Sequence, residues 1–499
     1  MAAETLAQGS TLSWHYRTII LDFGQGWRKA LNWHGLQGRV DVRQLFPGAK
    51  RPLRWNFLQV PKRIEVGRYR TLVAELFANA GQMGPRQLGF MRRALTDLYS
   101  QEGVLLSNIS AYYEQKTRPL LDRIGKLRRE IRPASEGVER AIETAGQSEL
   151  PRKQTELRDR QRQLDQALET LGMLQRRCKE LLVVSLLEAS WLNVKAGTAI
   201  DDLSPEQQQE LSVLRSMRAS IKDWIGILRE YYEEVSRKGD QASRTSLEGV
   251  LLRLEQFEEG QMLRQYGPGS DAIAIENLGL LGPEDDPWGV TVVEGGAEMD
   301  EFAKAALFSL LAAVVYGDAV VRRRESLAGV RFPPLQIFFE EANKVLSGVA
   351  GGSGSDSEKK GANVSAIWES MWRDARKYAI YLHLLAQTVS QLPPGILASC
   401  ANVFVFQTKN GADRDLILPH LGRSEKGIVN TEYKRYLARI PRSYAIVKLG
   451  YSAEVLDLEP VLIRPNMLMA HESSDADILY ILERRQAVPP PVSDPDIDP

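Results

Sequence analysis

Short apolar segments alternate along this chain with segments of helical periodicity, and this alternation limits the possible folds strongly. The apolar segments are rich in β-branched and aromatic side chains and stop at glycine, proline, glutamine or charged residues. Such runs are typical of strands buried on both faces of a parallel sheet. They predict an α/β fold, a mostly parallel sheet with helices on both faces. The segments are RTIILDFG (17–24), RVDVRQLFP (39–47), GVTVVEGG (289–296), LQIFFEEA (335–342), AIYLHLLAQT (379–388) and NVFVFQT (402–408).

The middle of the chain, residues 111–266, has no such strand pattern and is rich in charge. One heptad position there is occupied by Leu157, Leu164, Leu171 and Cys178, and a second by Ala167, Leu174 and Leu181. A repeat of about four heptads predicts a coiled coil or a long helical hairpin. The sheet is therefore predicted to be interrupted by an all-α insert whose charges form its solvated face.

These patterns divide the chain into four predicted parts. Residues 1–110 and 271–475 form the two parts of the α/β core, and residues 111–270 form the helical insert. Residues 476–499 are a proline-rich, acidic tail that is predicted to be disordered. The glycine- and serine-rich segment 347–364 is predicted to be a mobile loop.

Composition narrows the class of protein. The formal net charge is zero, so any nucleic-acid binding must use a local basic patch rather than the whole surface. Two distant cysteines, Cys178 and Cys400, give neither a disulfide framework nor zinc spacing.

The apolar run 305–316 is too short to span a bilayer and predicts a core helix. No signal-peptide pattern is present at the N-terminus, so a cytoplasmic location without a transmembrane segment is expected.

Polar residues follow three of the predicted strands. Asp22 and Gln25 follow the first, Glu340 and Glu341 follow IFF, and Gln387 and Thr388 follow YLHLLA. Ligands of open α/β sheets bind outside the carboxyl ends of the strands. One acid that holds Mg²⁺ through water, a second that orients the attacking water, and a glutamine that senses the γ-phosphate are typical of nucleotide hydrolysis. Each of these residues alone could instead be a simple polar cap of its strand.

Glu340 and Glu341 are adjacent carboxylates at the end of a buried strand, which costs desolvation and repulsion. A metal ion, an activated water or an arginine is expected to compensate for this cost. Without a metal ion and phosphate, at least one of the two acids is expected to have a raised pKa.

The order of these motifs resembles that of the HerA/FtsK-type ATPases, in particular the HerA-like helicases and the conjugation and type IV secretion motors. In that family an apolar strand ends in EEA or DEA, as at 340–342. The stretch RDARKYAIYLHLLAQTVSQLPPGILASCANVFVFQ (373–407) is similar to the family's Arg-Lys-aromatic motif, strand, glutamine and LP segment. The resemblance covers residues 1–110 and 271–465 but not the helical insert.

The resemblance implies a RecA-like fold, ATP and Mg²⁺ as ligands, DNA as a partner and a ring, expected to be a hexamer. It implies that Glu341 orients the attacking water and that Glu340 is the acid on the Mg²⁺ side. The resemblance also implies that Gln387 is the polar sensor and that Arg376 is an arginine finger that reaches a neighbouring subunit. Asp22 matches the acid of the family's second strand, with Gln25 and Thr388 near the nucleotide.

One departure from the family is serious, because the chain contains no G-x-x-x-x-G-K-[ST] phosphate-binding loop. The segment MAAETLAQG resembles the helix that follows this loop. The expectation is therefore that Met1 lies just past the phosphate-binding turn, and that ATP hydrolysis requires an upstream element. Whether this chain alone is an enzyme is left open.

Two alternatives remain. The first is a scaffold without a P-loop that recruits a protein partner through the helical insert. The second is an ATPase of the SMC/ABC type, although LSGVAGG (346–352) follows the paired acids instead of preceding them. The basic clusters VVRRR (320–324) and RYLARIPR (435–442) could contact DNA, but they could equally be solvated faces.

Overall fold

The structure is a computed structural model of the whole chain. It describes residues 2–46, 48–104, 108–143, 150–258, 262–266, 275–282, 286–297, 299–326, 332–346, 362–422, 431–450, 460–465, 474–476, 478 and 480–481. The predicted loop at 347–364 lies almost entirely outside these residues, and so does most of the predicted tail.

Five parallel strands form the main sheet, in the order β2-β3-β1-β4-β5. β1 lies at the centre, with Ile20 level with Val292 of β3 on one side and Phe338 of β4 on the other. β1, β3 and β4 are buried along their whole length, which explains their continuous apolar sequences. The predicted α/β class and parallel sheet are thus confirmed. The strands are β1 (Arg17–Asp22), β2 (Val40–Gln44), β3 (Gly289–Glu294), β4 (Leu335–Phe339) and β5 (Ile380–Leu384).

The other regular elements are helices and a second, smaller sheet. They are α1 (Ala2–Trp14), α2 (Val66–Ala80), α3 (Pro85–Glu102), α4 (Ile109–Glu143), α5 (Leu150–Leu181), α6 (Leu186–Leu192), α7 (Pro205–Ser216), α8 (Ile221–Lys238), α9 (Gln241–Leu254), α10 (Met262–Tyr266), α11 (Glu301–Ser326), α12 (Ala342–Leu346), α13 (Ala362–Ala375), α14 (Pro394–Ala398), α15 (Gly411–Leu421) and α16 (Glu432–Arg439).

Helices cover both faces of the parallel sheet. Successive strand residues point to opposite faces, so Phe338 and Phe339 separate the two cores. Phe338 packs in one buried cluster with Ala7 of α1. Phe339 lies on the other face, with its ring centroid 5.4 Å from that of Trp372 in α13. A buried polar contact also fixes α1, since Gln336 Nε2 of β4 donates to Ser10 Oγ at 2.5 Å.

The strand at NVFVFQT is an exception to the predicted parallel sheet. β6 (Val403–Val405) pairs antiparallel with β7 (Ala445–Lys448), which in turn pairs antiparallel with β8 (Val461–Ile463). Placing this segment in the parallel sheet was wrong. A three-residue apolar run is compatible with either sheet, because its neighbours are set by segments distant in sequence.

The chain divides into two compact units. The sheet unit comprises Met1–Ile64, Arg68–Arg92 and Ser220–Pro499, and the hairpin unit comprises Glu65–Gly67 and Arg93–Ala219. The hairpin unit has helices and no strand among its described residues. Its α4 and α5 form the predicted hairpin, in which Ala167 and Leu171 at heptad positions pack on Ile124. A buried ion pair, Arg215 Nε to Glu188 Oε1 at 2.9 Å, lies in the same unit.

The observed division differs from the predicted insert of 111–270. α8, α9 and α10 belong to the sheet unit, and aromatic side chains of α8 and of the turn Glu255–Phe257 after α9 help to form its core. Trp224 packs edge-on against Phe77 with centroids 5.8 Å apart, and Phe257 lies 5.9 Å from Phe57. At the other end, Ile478 is buried among the sheet residues although it falls within the predicted disordered tail. An amphipathic sequence shows that a helix buries one face, but not which unit buries it.

α11 contains the apolar run at 305–316. By length and composition alone it could cross a membrane, but 78% of its most apolar window is buried inside the protein. That burial is typical of a core helix, as the sequence predicted.

The role of α8 in the sheet unit can be tested with one large side chain. We expect Trp224→Ala to lower the free energy of unfolding by about 3–5 kcal/mol, since Trp224 is fully buried and the substitution leaves a cavity. Trp191→Ala is the matched control, because this tryptophan is 65% exposed. Urea unfolding of both variants would measure the difference, and equal losses would contradict the assigned packing.

Candidate functional site

The carboxyl ends of β1, β4 and β5 lie side by side, because these three strands are neighbours in a parallel sheet. Asp22, Glu340 and Glu341 therefore meet at one edge, as the sequence predicted. The backbone reverses sharply after β4, and Glu341 adopts a left-handed conformation with φ of 47°. Such a conformation costs a non-glycine residue about 1–3 kcal/mol, so the surrounding contacts must hold it in place.

Asp22 is fully buried at the end of β1. Its Oδ2 accepts a hydrogen bond from the Trp27 amide at 2.8 Å, and its Oδ1 accepts one from the Gly24 amide at 3.1 Å. Burial, reinforced by the neighbouring Glu340 carboxylate, raises the pKa of Asp22 to about 9. At neutral pH Asp22 is therefore protonated and shares its proton with Glu340. Glu340 Oε2 is buried and has no hydrogen-bond partner among the described residues.

The charge of Glu341 is compensated by a lysine and not by protonation of a neighbouring acid. Its Oε2 lies 2.7 Å from Lys344 Nζ, and its Oε1 accepts a hydrogen bond from Gln387 Nε2 at 3.2 Å. Lys344 also contacts Glu301 at 3.0 Å. The hydrogen bond with Glu341 is the main cause of the raised pKa of Lys344. The partner of Glu341 is thus Lys344 of α12, and no arginine among the described residues pairs with either acid.

The expectation of a raised pKa at Glu340 or Glu341 stays a prediction. Asp22, which is fully buried and lies against Glu340, has a raised pKa.

The other predicted residues occupy different places. Gln25 is exposed in the loop after β1, and Thr388 is half-buried after β5. Arg376 is exposed and precedes β5, so it lies at the amino edge of the sheet. Five strand residues separate the two edges by roughly 17 Å. Arg376 therefore cannot reach Glu341 of the same chain.

A second polar cluster at the carboxyl edge was not predicted. Glu294 is fully buried at the end of β3, and Arg28 donates two hydrogen bonds to its carboxylate, both at 2.8 Å. Gln44 Nε2, from the end of β2, donates to Glu294 Oε1 at 2.6 Å, and Arg28 also pairs with Asp475 at 2.8 Å. The signal was available in GVTVVEGG, where an apolar strand ends in an acid just as β4 does.

The site suits Mg²⁺ only as part of a larger assembly. Among the described residues, no group of three or more histidine, cysteine or acidic side chains could hold a metal ion. Glu340 offers one buried oxygen, Oε2, that has no hydrogen-bond donor among the described residues. Mg²⁺ is often bound by one or two carboxylates, with waters and substrate phosphates completing the octahedron. Glu340 fits that mode, and a metal site made of protein groups alone does not fit.

Comparisons with known proteins give no family assignment. No protein-family model matches this chain, and no curated protein matches it significantly. The relation to the HerA/FtsK-type ATPases stays a prediction carried by the sequence motifs.

The protonation of Asp22 predicts a pH dependence of stability. Its pKa is about 9 in the folded protein and near 3.8 when exposed, so between these values the unfolded chain releases a proton that the folded chain keeps. The free energy of unfolding should therefore fall as pH rises from 4 to 9, by up to about 1.4 kcal/mol per pH unit. Asp22→Asn removes the titrating group and keeps a donor toward Glu340, so this slope should become shallower.

Urea unfolding at several pH values, in buffer containing EDTA, measures this slope. Asp415→Asn serves as control, since Asp415 is exposed and pairs with Lys434 on the surface. If wild-type protein and Asp22→Asn have parallel pH profiles, Asp22 is not protonated in the folded state.

Proposed function

We propose that this chain is an ATP-driven, DNA-translocating motor ATPase of the HerA/FtsK type, or the C-terminal portion of one. One observation carries the proposal: Glu341 and Gln387, from adjacent strands of a parallel sheet, are hydrogen-bonded to each other beside the Asp22–Glu340 pair. In this assignment Glu341 orients the attacking water and accepts its proton, while Gln387 contacts the γ-phosphate. Glu340 faces Mg²⁺ through a water molecule. Bound Mg²⁺ supplies charge neutralisation at the phosphates.

The placement of α1 supports a RecA-like arrangement. Lys29, which follows β1, contacts Glu4 in the first turn of α1 at 2.8 Å, so the amino end of α1 points to the carboxyl edge of the sheet. β5 is an edge strand of the described sheet, and the side chain of Tyr381 on this strand is 40% exposed. We propose that the element that binds the phosphates acts beside β5, at the amino end of α1.

The position of Arg376 supports the proposal of a ring. Arg376 is exposed at the amino edge of the sheet, away from the acids of its own chain, which suits a finger that acts on a neighbouring subunit. We propose a cytoplasmic ring, expected to be a hexamer, with DNA as the polymer that is moved.

A scaffold is the second candidate. It is favoured by the absence of a G-K-[ST] loop from the sequence. The exposed apolar side chains of Leu186, Leu187 and Trp191 on α6 favour it as well. The two candidates differ in whether nucleotide binds at the carboxyl edge of the sheet.

The phosphate-binding element can be tested directly. We expect the 499-residue chain to show negligible phosphate release, whereas a form extended upstream through a G-K-[ST] loop should bind and hydrolyse ATP. Calorimetry and phosphate release on the two forms provide the measurement. Robust hydrolysis by the shorter chain would mean that it holds its own phosphate-binding element, and the family assignment would have to be rebuilt.

In the extended form, we expect Glu341→Gln to reduce turnover by at least about 100-fold while nucleotide still binds, because the amide cannot accept a proton. Glu301→Gln is a matched control, since Glu301 also pairs with Lys344 but is largely exposed. If Glu341→Gln hydrolyses ATP at the wild-type rate, Glu341 does not have this role.

The trans role of Arg376 can be tested by mixing subunits. Arg376→Ala rings and Glu341→Gln rings should each be inactive, and mixed rings should regain activity at interfaces that pair an intact acid with an intact arginine. Lys377→Ala, which changes the neighbouring exposed cation, should remain active alone. Phosphate release across mixing ratios measures the rescue, and a flat profile would argue against a trans finger.

A further inference from the structure

The long hairpin of α4 and α5 has a defined register. Arg160 Nη1 of α5 donates to the Glu130 carbonyl of α4 at 3.0 Å, and Ile124 packs on Ala167 and Leu171. Residues 126–132 of α4 therefore lie level with residues 158–164 of α5. We call these two segments the basic band.

The basic band holds the whole charge surplus of the hairpin. α4 and α5 together carry sixteen basic and eleven acidic residues, a surplus of five. The basic band alone carries seven basic and two acidic residues, which is the same surplus. The remainder of the hairpin has nine of each and is balanced. Since the complete chain has no net charge, this is a local concentration of positive charge.

Four exposed arginines form the centre of the basic band. Arg128 and Arg132 are four residues apart on α4, and Arg158 and Arg162 are four residues apart on α5. Like charges at this spacing repel each other and destabilise a helix. Within the described residues, Arg128, Arg158 and Arg162 have no carboxylate partner, and Arg132 has only Glu136 at 3.7 Å. The repulsion is thus left for an external anion to offset.

We propose that the basic band binds the phosphate backbone of duplex nucleic acid. The band covers about 10 Å of helix length, and duplex DNA carries about six phosphate charges over the same distance, so the charge densities match. Six of the seven basic residues are arginine, whose planar guanidinium pairs well with phosphate. The inference rests on the proposed function for its choice of DNA, and it assigns the DNA contact to a specific surface.

Two other polyanions fit this surface less well. A membrane-binding helix places large apolar side chains beside its basic face, but the exposed residues of the basic band are all polar or charged. A specific acidic protein is expected to fill an apolar or aromatic pocket, and the band contains no aromatic residue. Regularly spaced phosphates require neither feature.

The test measures binding of the full chain to a random 40-base-pair DNA duplex by fluorescence anisotropy between 50 and 200 mM salt. EDTA is present and nucleotide is absent. The band variant changes Arg128, Arg132, Arg158 and Arg162 to Gln. The control variant changes Arg118, Arg140, Arg152 and Arg176 to Gln, which removes the same charge from the same two helices. Circular dichroism and unfolding curves establish that both variants are folded.

We expect the band variant to bind at least 10-fold more weakly at 100 mM salt. Its slope of log affinity against log salt should fall by up to about 3.6, because each phosphate contact contributes about 0.9. The control variant should stay within about threefold of wild type. Equal losses in the two variants, or no binding by wild-type protein, would overturn the proposal.

Competitors test the identity of the occupant. Polyglutamate and vesicles containing phosphatidylserine should displace DNA poorly, and stronger binding of either one to the band would overturn the choice of nucleic acid. If the extended form hydrolyses ATP but wild-type protein does not bind DNA, this inference is wrong and the proposed function is not affected. If wild-type protein binds DNA but the extended form does not hydrolyse ATP, the proposed motor function is wrong and this inference is not affected.

Discussion

Parallel pairing of β1 with both β3 and β4 determines the chemistry at the carboxyl edge of the sheet. Because the three strands run in the same direction and in register, Asp22, Glu294 and Glu340 all end at one level. Buried carboxylates cannot all be ionised there without compensation. Asp22 keeps its proton and shares it with Glu340. Glu294 is held by the guanidinium of Arg28. Glu341, one residue further on, is paired with Lys344.

The three ways of compensating these carboxylates differ in which groups remain open to a ligand. The Arg28–Glu294 pair has both hydrogen bonds of the fork in place and is further tied by Gln44, which is typical of a structural contact. The Glu341–Lys344 pair is partly exposed and is shared with Glu301 and Gln387. Partly exposed pairs are worth little and exchange readily. A phosphate group could therefore compete with Glu341 for Lys344. Displacing Glu294 from Arg28 would be far more costly.

The sequence was sufficient to predict the strands of the main sheet and the polar residues at their ends. Fully buried parallel strands have continuous apolar sequences, and β1, β3 and β4 are of this kind. The sequence did not predict the partners of those polar residues. Arg28 and Glu294 are 266 positions apart, so their pairing has no local signature. Glu341, which pairs with Lys344, adopts a left-handed conformation that its residue type does not indicate. The boundary of the hairpin unit was missed for a related reason, since α8 and α9 are amphipathic helices whose partners are chosen by tertiary packing.

The two edges of the sheet constrain any assembly that uses Arg376. The acids lie at the carboxyl edge, and Arg376 lies at the amino edge of the same sheet. A dimer with twofold symmetry presents the same patch from both subunits. Such a dimer would therefore bring the acids of one subunit to those of the other, or Arg376 to Arg376. The exception would be a patch that contained both edges of the sheet. A head-to-tail contact, in which the amino edge of one subunit meets the carboxyl edge of the next, places each arginine beside a neighbour's acids. Such heterologous contacts generate closed rings or open filaments. If Arg376 acts in trans, the functional assembly must be of this kind, and a closed ring is the form in which every site is complete.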